Sequence, residues 1–364
     1  MTSIFQAMEQ GDYEHLFFCQ EQSTGLKAII AIHDTTLGPA AGGIRMKPYA
    51  TEEEAIRDAL RLAQAMTYKC AAAGANLGGG KCVVIGDPQR DKSEALLRVL
   101  GRFIRRLNGL FITGMDVGTT LEDMDILRQE CPYVTIYSEA LGGPGDTAAA
   151  TALGVVSGMR ACLKAVYGDE RFQGRHVAVQ GVGAVGSHVV ELLVQAGALV
   201  TIADVDEERV RSVATHEQVT VVAPGEIATL PVDIYSPCAL GGVLNQTSIP
   251  TLRCEIVCGS ANNQLQEEQD GELLEQRGIL YAPDYIVNAG GVIVGADSLL
   301  PGGYKQQRAE AAVRRLYQAV EQVISLAKEQ HVSTNRAAAL LARKRIEMMK
   351  QVRSVANGAD AFTR

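Results

Sequence analysis

The sequence predicts an α/β fold in two domains, as its length, its alternating strand and helix patterns and one glycine-rich motif all indicate. The chain has 364 residues, of which 47% are hydrophobic and 21% charged, enough for two globular cores. Apolar runs of strand length alternate with helical patterns, which is typical of a doubly wound sheet. We expect a first domain over residues 1–140, joined by a C-terminal helix at 333–364, and a second domain over 141–332.

Apolar periodicity places the elements of the first domain in order. Strands are expected at His15–Cys19, Lys27–His33, Cys82–Ile85, Leu110–Thr113 and Val134–Tyr137. Helices are expected after Thr51, Ser93 and Thr120, because a hydroxyl side chain can accept from the first free N–H groups of a helix. The run Gly78–Gly80 is expected to form a turn before the third strand.

The second domain begins with a predicted helix at Ala149–Tyr167, after a segment rich in small turn residues. Strands are expected at Arg175–Gln180, Leu199–Ala203, Asp233–Ser236, Ile256–Cys258 and Ile279–Tyr281. Further helices are expected at residues 184–196, 304–329 and 333–350. Strands separated by helices in this way predict a parallel sheet with helices on both faces.

Composition and charge exclude several classes of protein. The net charge is -8, so no general basic field exists to attract nucleic acid or anionic lipid. The longest apolar runs fall far short of the ~20 residues that a membrane span needs, and the first residues lack the order of a signal peptide. Eight scattered cysteines and six scattered histidines predict buried thiols and no metal site. We therefore expect a cytoplasmic protein that binds neither nucleic acid nor membrane.

A glycine-rich motif lies between the predicted strand at 175–180 and the following helix. In Gly181-Val182-Gly183-Ala184-Val185-Gly186, the first glycine permits a tight turn, the second lets backbone approach a pyrophosphate, and the third lets helix and strand pack closely. Asp204 ends the next predicted strand, 18 residues after Gly186. An acidic residue there accepts hydrogen bonds from a ribose 2′-hydroxyl, so a Rossmann-type domain that prefers NAD is expected. Arg209, five residues after Asp204, is a feature that would instead favour NADP, because a nearby arginine can accommodate its 2′-phosphate.

Three ionisable residues end elements of the first domain. Lys69 ends a predicted apolar helix, Lys81 follows the glycine run, and Asp116 follows the predicted strand at 110–113. Two lysines could hold a carboxylate and polarise a carbonyl, while the carboxyl group moves a proton. The alternative for Lys81 is an ordinary solvated loop lysine.

The sequence resembles the family of leucine, phenylalanine, valine, tryptophan and glutamate dehydrogenases. The segments that carry the resemblance lie in order along almost the whole chain: Ala28–Tyr49, Met66–Pro88, Asp116–Asp125, Ala178–Gly186, Pro237–Asn245 and Tyr281–Ile293. The resemblance implies reversible oxidative deamination of an L-amino acid to a 2-oxo acid and ammonia, with NAD as the hydride acceptor. It also implies a homo-oligomer.

The resemblance also implies roles for individual residues. Lys69 matches the lysine that holds the substrate carboxylate, Lys81 the catalytic lysine, and Asp116 the aspartate that transfers a proton. Residues matching the substrate site are Ala41, Gly42, Gly43, Met66, Gly114, Val292 and Gly295. Residues matching contacts to the dinucleotide or the substrate amine are Thr151, Asp204, Cys238, Ala239, Asn262 and Asn263.

The predicted side-chain pocket departs from the pattern of the leucine enzymes. Ala41, Gly114 and Gly295 are each smaller than the residue expected there, which leaves room for a bulky or aromatic substrate such as phenylalanine or tryptophan. Alternatively, Met115 or Leu141 fills the space and a preference for leucine or other branched-chain substrates survives. The pocket positions carry no charged residue, which argues against glutamate as the substrate.

Two other functions are weighed against the amino acid dehydrogenase. A catalytically retired NAD-binding protein would be indicated by loss of Lys69, Lys81 or Asp116, and all three are present. A hydroxy-acid dehydrogenase would need a histidine with an acidic partner, but His176 and His188 lie in or beside the predicted cofactor fold.

Overall fold

The chain folds into two compact units in a computed structural model that describes residues 3–360, with side chains to residue 352. Within that range, unit 1 comprises the residues up to Asp146, Val294–Gln306 and the residues from Ala342 on. Unit 2 comprises Thr147–Ile293 and Gln307–Leu341. Residues 361–364 of the predicted C-terminal helix lie outside the described residues.

The compact units differ from the predicted domains at three places, one of which is the C-terminal segment, which belongs to unit 1 from Ala342 on and not from residue 333. The first boundary falls after residue 146, because the turns after Ser138 fold back on unit 1; the N–H of Gly145 donates to the Tyr137 carbonyl at 3.0 Å. Val294–Gln306 also belongs to unit 1, where the Ser298 hydroxyl donates to the Thr135 carbonyl at 3.1 Å. Sequence periodicity shows that a segment is helical but does not show against which partner it packs.

Unit 1 is built on a mixed five-stranded sheet with the order β1-β2-β4-β3-β5. Its strands are β1 (His15–Glu21), β2 (Leu26–Asp34), β3 (Ala40–Lys47), β4 (Gly78–Ile85) and β5 (Phe111–Met115). The pairs β1/β2 and β2/β4 are antiparallel, whereas β3 is parallel to both β4 and β5. The two glycine-rich strands β3 and β4 are therefore neighbours near the middle of the sheet.

The sheet contains one strand that the sequence analysis does not predict, and two predictions for it are wrong. Residues 40–47 form a strand that was not expected, because two adjacent glycines suppress the alternating pattern of a strand. The run Gly78–Gly80 lies inside β4 and is buried, where a turn is predicted. Val134–Tyr137 is not a strand, since Val134 makes only an isolated bridge to Thr113.

The helices of unit 1 cover the two faces of this sheet. They include α1 (Ile4–Gly11), α2 (Glu52–Ala72), α3 (Glu94–Arg106) and α4 (Leu121–Glu130). Thr51, Ser93 and Thr120 cap α2, α3 and α4 as predicted, each accepting a backbone N–H through its hydroxyl. On one face α2 packs with Ile29, Ala31 and Val83. The opposite face buries the core shared with α3 and α4.

Unit 2 contains a parallel six-stranded sheet with the order β11-β10-β9-β6-β7-β8. The strands are β6 (His176–Gln180), β7 (Leu199–Ala203), β8 (Val219–Val221), β9 (Pro231–Pro237), β10 (Arg253–Val257) and β11 (Leu280–Tyr281). The first strand lies at the centre and the order reverses there, as in doubly wound nucleotide-binding folds. The predicted Rossmann-type architecture is confirmed.

The remaining helices lie in unit 2, except that Val294–Gln306 and the residues from Ala342 on belong to unit 1. They are α5 (Ala148–Tyr167), α6 (Ala184–Gln195), α7 (Glu207–Val213), α8 (Asp270–Gln276), α9 (Asp284–Val287), α10 (Gly290–Ser298), α11 (Gln306–Arg314), α12 (Leu316–Gln330) and α13 (Thr334–Asp360). Of these, α5 is long and apolar enough to cross a membrane by length and composition, with a mean hydropathy of 1.3. Its residues Ala152, Val155 and Leu163 are fully buried in unit 2, as in the core helix of a globular protein.

Candidate active site

The sheet of unit 1 brings Lys81 and Asp116 together. Lys81 lies in β4, Asp116 directly follows β5, and their Nζ and Oδ2 atoms are 2.8 Å apart. Because side chains alternate along a strand, Lys81 shares a face with Val83, which packs with α2. The pair therefore lies on the α2 face of the sheet.

Burial sets the electrostatics of Lys81. Its side chain is only 6% exposed. Burial lowers the pKa of the ammonium group, and the carboxylate of Asp116 only partly offsets that effect. A lysine whose proton is more easily lost can act as an acid or a base closer to neutral pH. Lys81 is therefore a strand residue in a dry environment and not a solvated loop lysine.

Asp116 stays ionised because two cations contact it. Burial acts to raise the pKa of this carboxyl, but Lys81 and Arg45 outweigh it and hold the pKa below its usual value. The Nε–H of Arg45 donates to the same Oδ2 atom at 2.8 Å. The loop after the strand is fixed by Thr119, whose hydroxyl accepts the Asp116 N–H at 2.9 Å and donates to the Ile44 carbonyl.

Arg45 was not identified from the sequence, although it lies two residues after Gly43. It is held on its other side by Asp58 of α2, with Nη1 and Oδ2 3.3 Å apart. Asp58 in turn accepts the hydroxyl of Tyr49 at 2.8 Å and pairs with Arg61 at 2.9 Å. Assigning residues 40–47 to a strand would have placed Arg45 on the same face as Lys81.

Glycines in β3 and β4 are required by close backbone approaches. A Cβ atom on Gly42 would lie 1.7 Å from the Gly80 carbonyl oxygen, and one on Gly43 would lie 2.9 Å from Cβ of Asp116. A Cβ atom on Gly79 would lie 2.0 Å from the hydroxyl of Thr67 in α2. These glycines let sheet and helix close around the Lys81–Asp116 pair, and they do not form the predicted turn.

Lys69 and Met66 lie in the last two turns of α2, one turn apart on the same side of the helix. Both are half-buried. The C-terminal end of this helix is held by Arg345 of α13, whose guanidinium donates to the carbonyls of Cys70, Ala71, Gly74 and Ala75 at 2.9–3.2 Å. The orphan carbonyls that follow Lys69 are thereby satisfied.

The small pocket residues of unit 1 lie against the segment after Val134. A Cβ atom on Gly114 would lie 3.1 Å from Cγ1 of Ile136, and one on Gly295 would lie 3.4 Å from Cδ1 of the same side chain. Ala41 is buried in β3. Neither Ile136 nor Thr135 was identified from the sequence, because no local pattern brings residues 114, 136 and 295 together.

The loop between β6 and α6 in unit 2 has the geometry of a phosphate-binding turn. Gly181 adopts φ +93°, and a Cβ atom there would lie 2.7 Å from Cβ of Ala239. A Cβ atom on Gly186 would lie 2.0 Å from the Gly181 carbonyl oxygen. Gly183 is the N-cap of α6 and supplies no side-chain acceptor. The first backbone N–H groups of α6 are therefore suited to bind an anion. Val182, Ala184 and Val185 complete this turn.

Asp204 lies beside this loop, directly after β7. Its Oδ2 accepts the Val182 N–H at 2.8 Å and its Oδ1 accepts the Asp206 N–H at 3.0 Å. Burial acts to raise the pKa of the carboxyl, but these backbone donors and Arg209 outweigh it, so the pKa lies below its usual value. An ionised carboxylate retains capacity for hydroxyl donors. The residues present therefore fit an adenosine ribose and a pyrophosphate.

Arg209 lies near the same loop, with Nη1 3.6 Å from the Cβ position of Gly183. Its Nε pairs with Asp206 at 3.1 Å, which offsets part of its charge. The structure thus places one acidic and one basic determinant next to the predicted adenosine site.

The other predicted contact residues of unit 2 lie on separate loops and helices. The Cys238 N–H donates to the Gln180 carbonyl at 2.7 Å, next to Ala239 and the glycine turn. Asn262 accepts the amide of Asn288 at 2.8 Å, and Asn263 has φ 54°. The hydroxyl of Thr151 donates to the Thr147 carbonyl within α5, and Val292 is half-buried in α10.

Within residues 3–360, no group of three or more His, Cys, Asp or Glu side chains could hold a metal ion. The eight cysteines are free thiols, and all except Cys238 are buried. Burial raises the pKa of the Cys70 thiol to about 12, so it is an inert core residue.

A doubly wound parallel sheet with this glycine turn, together with a buried Lys–Asp pair on a second unit, defines the class of dinucleotide-dependent dehydrogenases. Residues 15–133 match the Glu/Leu/Phe/Val dehydrogenase dimerisation domain, and residues 142–208 and 199–354 match the Glutamate/Leucine/Phenylalanine/Valine dehydrogenase model. The chain belongs to this family of amino acid dehydrogenases.

Named dehydrogenases are similar to this protein over nearly the whole chain. A leucine dehydrogenase of Thermoactinomyces intermedius is 51% identical over 96% of this chain and 95% of the relative. A leucine dehydrogenase of Geobacillus stearothermophilus is 49% identical over 99% of this chain and 98% of the relative. The solved structure of L-tryptophan dehydrogenase from Nostoc punctiforme is 42% identical, with a TM-score of 0.84 over 96% of this chain and all of that chain.

Proposed function

We propose that the protein catalyses the NAD-dependent, reversible oxidative deamination of an apolar L-amino acid to its 2-oxo acid and ammonia. The buried ion pair between Lys81 and Asp116, 2.8 Å apart on the α2 face of the sheet, carries the proposal. It supplies one cation and one ionised carboxylate where a reaction with two proton transfers needs them.

Three ionisable residues of unit 1, Lys69, Lys81 and Asp116, have distinct proposed roles. Lys69 binds the substrate carboxylate from the last turn of α2. Lys81 polarises the developing carbonyl and activates water, which its lowered pKa favours. Asp116 accepts and returns the proton of the substrate amine. When bound, the dinucleotide accepts the hydride from Cα.

We also propose that NAD is preferred over NADP. An ionised Asp204 accepts a ribose hydroxyl and repels a 2′-phosphate, and the partial pairing of Arg209 with Asp206 weakens the competing cation. Gly181–Gly186 and the N-terminus of α6 are proposed to hold the pyrophosphate. Cys238, Ala239, Asn262, Asn263 and Thr151 are proposed to contact the cofactor or the substrate amine.

Leucine and other branched-chain amino acids are the substrates proposed first. The two most identical relatives described above are named leucine dehydrogenases. A bulky or aromatic substrate is the second candidate, because Ala41, Gly114 and Gly295 are small and a relative of high structural similarity is named for tryptophan. A hydroxy-acid dehydrogenase is not favoured, because among the described residues no hydrogen bond or ion pair joins a histidine of unit 1 to Lys81 or Asp116.

We propose that the protein is a cytoplasmic homo-oligomer. Residues 15–133 match a dimerisation domain, and Phe18 on the edge strand β1 is 58% exposed. Eight free thiols suit a reducing compartment. Light scattering of the purified protein tests the assembly; a monomer at micromolar concentration would contradict it.

A panel of L-amino acids with NAD, followed by the absorbance of the reduced nicotinamide, tests the activity. We expect leucine, valine and isoleucine to be oxidised with release of one ammonia per reduced cofactor. Phenylalanine and tryptophan ahead of leucine would favour the second candidate. No oxidation of any amino acid, with intact NAD binding, would favour the catalytically retired protein.

A further inference from the structure

Two glycines at the predicted substrate site are covered by one side chain. Gly114 belongs to β5 and pairs with Gly43 of β3, whose own Cβ position is 2.9 Å from Cβ of Asp116. Gly114 is two residues before Asp116, so its missing side chain would point to the same face of the sheet. Cγ1 of Ile136 lies 3.1 Å from that missing Cβ.

The same isoleucine reaches Gly295. Its Cδ1 atom lies 3.4 Å from the Cβ position of Gly295, and the Thr135 hydroxyl lies 3.1 Å from it. The volume opened by two glycines is thus occupied by Ile136, which is buried. Neither Met115 nor Leu141 is needed to fill it; Leu141 is 52% exposed.

Three hydrogen bonds fix the segment that carries Ile136. The Thr135 N–H donates to the Thr113 carbonyl at 2.9 Å, and the Thr113 N–H donates to the Tyr133 carbonyl at 2.9 Å. The Ser298 hydroxyl donates to the Thr135 carbonyl at 3.1 Å. The segment is therefore anchored to both β5 and α10, which holds the backbone of Ile136 beside Gly114 and Gly295.

We propose that Ile136 determines substrate size by occupying the space beside Gly114 and Gly295, so that branched aliphatic side chains fit and aromatic rings are excluded. This inference rests on the proposed function, since it concerns the side-chain pocket of that same site. Shortening Ile136 vacates the volume beside the two glycines, and an aromatic ring then fits beside Asp116.

The test compares Ile136→Ala, Ile136→Val and wild type in the full chain, with L-leucine and L-phenylalanine as substrates and NAD as acceptor. One methylene in an apolar pocket changes selectivity by about 10–200-fold. We expect the ratio of kcat/KM for phenylalanine to that for leucine to rise about tenfold or more in Ile136→Ala and less in Ile136→Val. Ile126→Ala is the matched control, because Ile126 packs in the core on the opposite face; its ratio should equal that of wild type.

A coupled variant adds an independent readout. Gly114→Ala introduces a Cβ atom 3.1 Å from Ile136, so it should lower kcat/KM for leucine, and Ile136→Ala in the same chain should recover part of the loss. Equal losses in both backgrounds would contradict the proposal.

The outcomes separate the two claims. Leucine oxidation by wild type with an unchanged ratio in both Ile136 variants would overturn the role of Ile136 and leave the proposed function intact. Wild type that prefers phenylalanine would also overturn it, because Ile136 would then exclude nothing. Wild type that oxidises no amino acid would overturn the proposed function together with this inference. If Ile136→Ala does not fold, the phenylalanine-to-leucine ratio of kcat/KM in Ile136→Val tests the role of Ile136: a rise supports it and an unchanged ratio overturns it.

Discussion

The Nε atom of Arg45 and the Nζ atom of Lys81 contact the same oxygen of Asp116, each at 2.8 Å. Two cations on one carboxylate oxygen stabilise the ionised form of Asp116 and, by their mutual repulsion, favour loss of a proton from Lys81. Arg45 thereby acts on both groups that are proposed to move protons.

Replacing Arg45 by glutamine should shift both limbs of the pH profile of kcat to higher pH. Loss of the positive charge raises the pKa of Asp116, which moves the acid limb to higher pH. It also removes a repulsion that lowers the pKa of Lys81, which moves the alkaline limb in the same direction. Rates measured across pH at saturating substrate check this.

Arg61→Gln provides the control for Arg45. It removes an equal charge from Asp58 at a site 62% exposed, and both limbs should stay in place. An Arg45→Gln profile that superimposes on wild type would rule out electrostatic coupling between Arg45 and the pair.

Asp204→Asn should relax the preference for NAD. The amide retains one oxygen for the Val182 N–H, while the negative charge and the acceptor for the Asp206 N–H are lost. A hydrogen bond to a charged group contributes about 1.5–3 kcal/mol, so NAD affinity should fall roughly 10–150-fold while NADP loses less or gains. Fluorescence titration with each cofactor measures this. Glu207→Gln, at the first residue of α7, is the control, and an unchanged NADP-to-NAD ratio in Asp204→Asn would refute the ribose role.

Gly42→Ala should destabilise unit 1. A Cβ atom 1.7 Å from a backbone carbonyl cannot be relieved by a side-chain rotation, so strands β3 and β4 must separate. Overpacking of this kind costs about 1–3 kcal/mol or more in the free energy of unfolding. Gly225→Ala meets nothing within 4 Å and should leave the melting temperature almost unchanged. Equal melting temperatures for the two variants would show that the strands tolerate the side chain.

Much of the fold could be predicted from the sequence, because helix caps and apolar runs are local signals. Thr51, Ser93 and Thr120 each begin a helix as expected. The glycine turn and Asp204 could be located because the dinucleotide motif is compact in sequence and each residue has one geometric task.

The parts that escaped prediction depend on contacts between distant residues. Strand β3 lacks the alternating pattern because Gly42 and Gly43 avoid clashes with β4 and Asp116, which become visible only when the strands are paired. Arg45 joins the site through that strand. Ile136 meets Gly114 and Gly295 across 22 and 159 positions of the chain, a distance that no sequence periodicity spans.

The turnover of Lys81→Ala with L-leucine and NAD tests the central claim most directly. General acid–base groups contribute about 10²–10⁴-fold, so kcat should fall by that factor while NAD affinity is retained. Lys164→Ala is the control, since it removes an exposed lysine near the end of α5 in unit 2, where Nζ donates to the Gly168 carbonyl at 3.1 Å, and its turnover should be preserved. Turnover of Lys81→Ala within a few-fold of wild type would contradict the account.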